Sequence, residues 1–150
     1  MVGQRQLQEE VNKIIRFYFD AKEDYRLACN RASEDLKPEL TGKIDRREQM
    51  HMQLQQALTV LSGEASDNGT VLADFKRDWE RVRGGVAGHG FESAIKLADQ
   101  SDAHAIEHIT SLMRHTMTDN MRALLQDHLA ELNQSQSRVH EMLAAGPVAH

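Results

Sequence analysis

Cysteine occurs once, at position 29, so the chain can form no disulfide within itself, a usage that fits a reducing compartment. A lone Cys29 on a helix reads first as a small packing residue, not as a nucleophile. Only two prolines interrupt the chain, and aromatic residues amount to 5%. With few β-branched or aromatic runs and abundant Leu, Ala, Glu, Gln, Arg and Met, the composition favours helix over strand. Long apolar runs are missing as well. No stretch approaches membrane-spanning length, and Met1-Val2-Gly3-Gln4-Arg5-Gln6 has no apolar signal core, so cytoplasm is the expected address. Excess positive charge is also lacking. The formal net charge is −5, which argues against a general nucleic-acid binder, and no polybasic cluster is available to hold an anionic membrane.

The chain of 150 residues fits one domain, 1–150, with residues from about 145 onward as a fraying tail. A chain of this length buries enough surface for a core without disulfide or metal staples. Apolar positions at Leu7, Val11, Ile14, Tyr18, Ala21, Tyr25 and Ala28 step by three and four and predict a helix over 5–32. After a turn at 33–38, Pro38 suits the first turn of a helix over 38–61, with a stripe of Leu40, Ile44, Arg47/Glu48, His51, Leu54/Gln55, Leu58 and Leu61. A polar loop follows, then a short helix over 71–83 that Thr70 would cap and whose Trp79 would anchor packing. Glycines at 84, 85, 88 and 90 form a hinge-like connection.

Two more long helices are predicted. The one over 91–114 carries Ala94, Ile95, Ala98, Asp102, Ala105, Ile109 and Leu112 on its apolar stripe. The other, over 120–144, carries Met121, Leu125, His128, Leu132, Ser135, Val139 and Met142. The outcome is an all-α fold: a ferritin-like, up-and-down four-helix bundle with an extra short helix in its one long crossover.

The informative feature is polar side chains on apolar stripes. Glu48 and His51 share a face of the second helix, Asp102 interrupts the stripe of the next long helix, and His128 interrupts that of the last. All lie near mid-helix, so two carboxylates and two imidazoles are expected at one level of the core. Buried carboxylates need a cation or hydrogen-bond partners. Glu48, His51, Asp102 and His128 are therefore candidate ligands for a transition-metal ion, Fe, Mn or Zn. The Glu-x-x-His spacing is one that carboxylate-bridged di-iron bundles use, but chance alone supplies about half such a pair in a chain with this many Glu and His residues.

A full di-iron set would also want a glutamate at position 125, which is Leu, and a carboxylate on the stripe of the first helix, where Tyr18, Ala21 and Tyr25 stand. The opposing reading is a hydrogen-bonded core cluster. His104 and His108, four apart with Glu107 between them, could chelate on a helix surface, or form an ordinary solvated face. No Gly-x-Ser-x-Gly elbow or phosphate-cradling loop after a strand occurs, so no catalytic residue is nominated.

Several short segments together carry a resemblance. They are Asp20-Ala21-Lys22-Glu23-Asp24-Tyr25, Asp35-Leu36-Lys37-Pro38-Glu39-Leu40, Asn68-Gly69-Thr70-Val71, the Trp79 crossover, the Gly88 turn and Arg138-Val139-His140. In their order and spacing the chain resembles, over nearly its whole length, a bacterial family of ferritin-like four-helix bundles known as domain of unknown function 2383. The resemblance implies the bundle fold and ferritin-like ancestry, and no settled activity. The family often has glycine at the positions of Ala21 and Asp24, and acidic residues where this chain keeps Asp99 and Asp102.

Two functional readings follow. One is a ferritin-like bundle with a transition metal in its core. The other is a non-enzymatic structural or protein-interaction bundle without a native metal, with a homodimer as the first expected assembly.

Overall fold

The computed structural model describes residues 3–62, 68–83 and 90–145. Those residues form five helices and no strand: α1 (Gln4–Asn30), α2 (Lys37–Ser62), α3 (Asn68–Arg83), α4 (Phe91–Leu112) and α5 (Asp119–Ala144). No helix among them is long and apolar enough to cross a membrane. The loop at 63–67, the glycine connection at 84–89 with His89, and the tail from 146, with His150, lie outside the described residues.

Local chemistry accounts for the starts of α2, α4 and α5. Pro38 sits in the first turn of α2, where its missing N–H costs nothing. Gly90 precedes α4 in an extended conformation, and Glu92 lies in the first turn, where a negative charge suits the helix dipole. Thr118 caps α5, its hydroxyl accepting from the Met121 N–H at 3.2 Å. The Thr70 cap expectation is corrected. Because α3 begins at Asn68, Thr70 lies inside its first turn.

Cross-helix contacts fix the directions. Lys22 meets Glu48 and Cys29 meets Thr41, so α1 and α2 are antiparallel. Glu10 meets His108 and Tyr25 meets Asp102, so α1 and α4 are antiparallel as well. Gln136 bonds Asp99 and Arg122 bonds the Met113 carbonyl, which makes α4 and α5 antiparallel. Arg138 on Glu39 and His128 on Gln53 do the same for α2 and α5. It follows that α2 and α4 run in one direction, and strict up-and-down alternation breaks between them. The reason is α3. It lies alongside α1, with Phe75 beside Phe19 and Trp79 beside Asp24, and carries the chain back along the bundle.

The apolar interior has two parts. One gathers Leu7, Val11, Ile14, Ile15 and Tyr18 of α1 with Met50, Leu54 and Leu58 of α2, Ala105, Ile109 and Leu112 of α4, and Met121, Leu125 and Leu132 of α5. The other gathers Ala21, Tyr25 and Ala28 with Leu40, Ala94, Ile95, Ala98, Val139 and Met142. On α2, α4 and α5 the polar positions Arg47, Asp102 and Ser135 fall between the two groups, so a polar layer crosses the middle of the core.

A buried polar layer as the candidate functional site

Asp102 is fully buried on α4. Leaving its charge uncompensated there would cost several kcal/mol (about 3–5 when one partner of a buried pair is removed). Arg47 of α2, 1% exposed, supplies the cation. Its Nε donates to Asp102 Oδ1 at 3.0 Å and its Nη2 to Oδ2 at 2.9 Å, the two-pronged fit of guanidinium to carboxylate. The Tyr25 hydroxyl donates to the same Oδ2 at 2.6 Å. Burial, followed by the Asp102 charge, pushes the Tyr25 phenol well up, so it remains a donor. For Arg47, burial pulls the guanidinium down, but the charge and hydrogen bonds of Asp102 outweigh it and hold the group above its ordinary value. Arg47 Nη2 also donates to Ser135 Oγ on α5 at 3.0 Å, so the layer ties four helices together.

A second hydrogen-bonded chain runs from the buried core out to exposed Gln53. Tyr18 hydroxyl and His128 Nδ1 are 2.9 Å apart, and His128 Nε2 and Gln53 Oε1 are 2.7 Å apart. Burial pushes the His128 ring down to about 4, so it is neutral near pH 7. Burial likewise raises the Tyr18 phenol, which keeps its proton. With a Gln oxygen facing Nε2, that nitrogen carries the ring proton, and Tyr18 donates to Nδ1.

Glu48 is not part of this interior. Its side chain is 43% exposed and pairs with Lys22 at 2.7 Å. His51 is buried, its Nδ1 has no hydrogen-bond partner, and burial depresses its basicity against the opposing pull of Glu48. Thus Asp102, His51 and His128 are in the core as their stripes indicated. Asp102 is engaged by Arg47 and Tyr25, while His128 is engaged by Tyr18 and Gln53. Among the described residues no group of three or more His, Cys, Asp or Glu side chains is placed to hold a metal ion.

The histidines on the outer part of α4 pack against an aromatic ring. Phe17 lies 5.3 Å from His104 and 5.1 Å from His108 between ring centroids, and His108 Nδ1 is 3.5 Å from Glu10. Asp24 is a further buried carboxylate, accepting from Trp79 Nε1 at 3.0 Å and Ser101 Oγ at 3.4 Å. Trp79 therefore ties α3 to α1 through a hydrogen bond, while Phe75 is the α3 residue packed against the core.

The residue that sequence reasoning passed over is Arg47. Leu40, Ile44, Arg47, His51, Leu54 and Leu58 step by four, three, four, three and four, and Glu48 falls outside that rhythm. The spacing alone therefore favoured Arg47 as the buried residue of the Arg47/Glu48 pair.

No curated protein and no solved structure matches this chain. A family model does, over residues 6–115, which takes in α1 to α4 and stops before α5, short of the Arg138-Val139-His140 segment expected to close the pattern. On the strength of that match, which covers more than half of its length, the chain belongs to the family described as Domain of unknown function (DUF2383).

Proposed function

We propose that the chain is a ferritin-like helical bundle with a non-enzymatic role, acting through protein contacts and first of all through a second copy of itself. Antiparallel neighbours with one long crossover support the ferritin-like description. The lone free Cys29 suits a reducing, cytoplasmic setting. The buried Asp102 charge is met by Arg47 of the same chain, so that carboxylate needs no bound cation.

The observation that carries the contact reading is on the outside. Between the C-terminal half of α2 and the start of α5 lies a groove of about 450 Å³, lined by Ala57, Val60, Leu61, Met121 and Leu124 with Gln53, Gln56, Thr118 and Asn120 at its polar edges. Val60, part of that lining, is 78% exposed. An exposed apolar patch of this kind can pack against its own copy across a two-fold axis, where the same residues meet from both sides. Sedimentation velocity over a wide concentration range tests this. A concentration-dependent dimer in the wild type, lost in Val60→Asp, is the expected result. A strict monomer at every concentration would contradict it.

One observation favours a second reading, an Fe, Mn or Zn ion in the core. His51 Nδ1 is buried without a partner, and Glu48 stands one turn before it. On that reading Glu48 and His51 are ligands, joined by Asp102 and His128 only if both exchange their present partners. Elemental analysis of untagged protein, purified without chelator, decides it. Near-stoichiometric metal lost in Glu48→Ala and His51→Ala would support the ion, and metal-free protein that takes up none on titration would remove it.

A further inference from the structure

The opposite half of the α2–α5 seam has a different chemistry. There the two helices enclose a cleft of about 300 Å³ whose lining includes Lys43, Arg46, Arg47 and Arg138 as cations but only Glu39 and Glu131 as carboxylates. Both carboxylates are occupied. Glu39 takes Arg138 through both oxygens, at 2.6 and 2.8 Å, and Glu131 takes Arg46 at 2.6 Å. Arg47 is committed to Asp102 behind the cleft. Lys43 remains. Its ammonium reaches two neutral oxygens, Ser135 Oγ at 2.6 Å and the Ser135 carbonyl at 3.5 Å, and no carboxylate pairs with it among the described residues. Burial, followed by the neighbouring Arg47, depresses its basicity against the opposing pull of Asp102 and Glu39.

We propose that this cleft binds a phosphate group, with Lys43 as its charge partner and Arg46 and Arg138 at its rim. Arg138 is also met by Glu141 at 3.2 Å, so of the four cations Lys43 is the one with no carboxylate in contact among the described residues, and an anion would supply it. The Lys43 ammonium carries three rotatable donors, and the Arg46 and Arg138 guanidinium groups line the same cleft, a set that suits the several oxygens of a phosphate. The entrance is open on the α2 side, because a Cβ built at Gly42 meets nothing within 4 Å.

The test is calorimetric titration of the full chain with inorganic phosphate and, in parallel, with phenyl phosphate, at low chloride concentration. Saturable one-to-one binding of phosphate is expected, weakened at least tenfold in Lys43→Met and unchanged in Lys13→Met, a control on the outer part of α1. Tighter binding of the monoester than of the free ion would assign the site to the phosphoryl group of a larger molecule; the reverse order would assign it to free phosphate. Since Lys43→Met alters a half-buried position, Gly42→Glu is the second variant. It places a carboxylate at the entrance, where an added Cβ meets nothing within 4 Å, and should abolish binding while the far-ultraviolet helix signal is retained. Absence of saturable binding in the wild type, or equal binding in Lys43→Met and Gly42→Glu, would overturn the proposal.

Discussion

His128 shows how a single buried side chain sets a property of the whole protein. Its ring is held at about 4 in the fold, against an ordinary value of 6.5. Between those values the unfolded chain takes up a proton that the folded chain refuses. Stability is therefore full above about pH 6.5 and declines as pH falls toward 4, by about 3 kcal/mol from this residue alone. His51, also depressed by burial, acts in the same direction. Urea unfolding at pH 7.5 and 4.5 should show that loss in the wild type and a smaller one in His128→Gln, and an identical pH dependence in both would show that the ring is not responsible. The burial of His128, His51 and Asp102 was legible because each interrupts an apolar stripe at helical spacing. The partners were not legible. Arg47 and Asp102 are 55 residues apart, Tyr18 and His128 are 110 apart, and one sequence carries no signal of such pairings. Without the partner, a buried carboxylate looks like a ligand in need of a metal.

The helices themselves were largely written in spacing and punctuation. The stripe of α5 is buried at every predicted position from Met121 to Met142, because that helix packs with one uninterrupted rhythm. The second helix was harder. Arg47 and His51 interrupt its inner face, Met50 is buried where no stripe position was assigned, and Ile44 is only partly buried. Two expectations at this scale concern local energetics. Thr118→Ala removes the hydroxyl that accepts from Met121 N–H and should cost about 1 kcal/mol, measured by chemical unfolding. Gly42→Ala fills open space within α2 and should stabilise by up to about 1 kcal/mol, since glycine is the poorer helix former and the added methyl meets no obstacle. A destabilising Gly42→Ala would mean that the helix does not run regularly through that turn.

At the scale of the molecule, the polar layer divides the interior into two apolar parts and lets the helices meet in one register. A slide of any helix by one turn would part Arg47 from Asp102 or Ser135, leaving a buried charge or donor unmatched, a role for polar core groups that has precedent in other bundles. On the reading proposed above, the buried Asp102 charge is met from within the chain and the protein's role lies at its surface. Unfolding free energies of Arg47→Met, Asp102→Leu and the double variant test that claim most directly. Each single change leaves an unpaired buried charge and should cost about 3–5 kcal/mol, whereas the double change removes both charges and should recover most of that loss. A double variant no more stable than the worse single one would contradict the account, because Asp102 would then be answering to something other than Arg47.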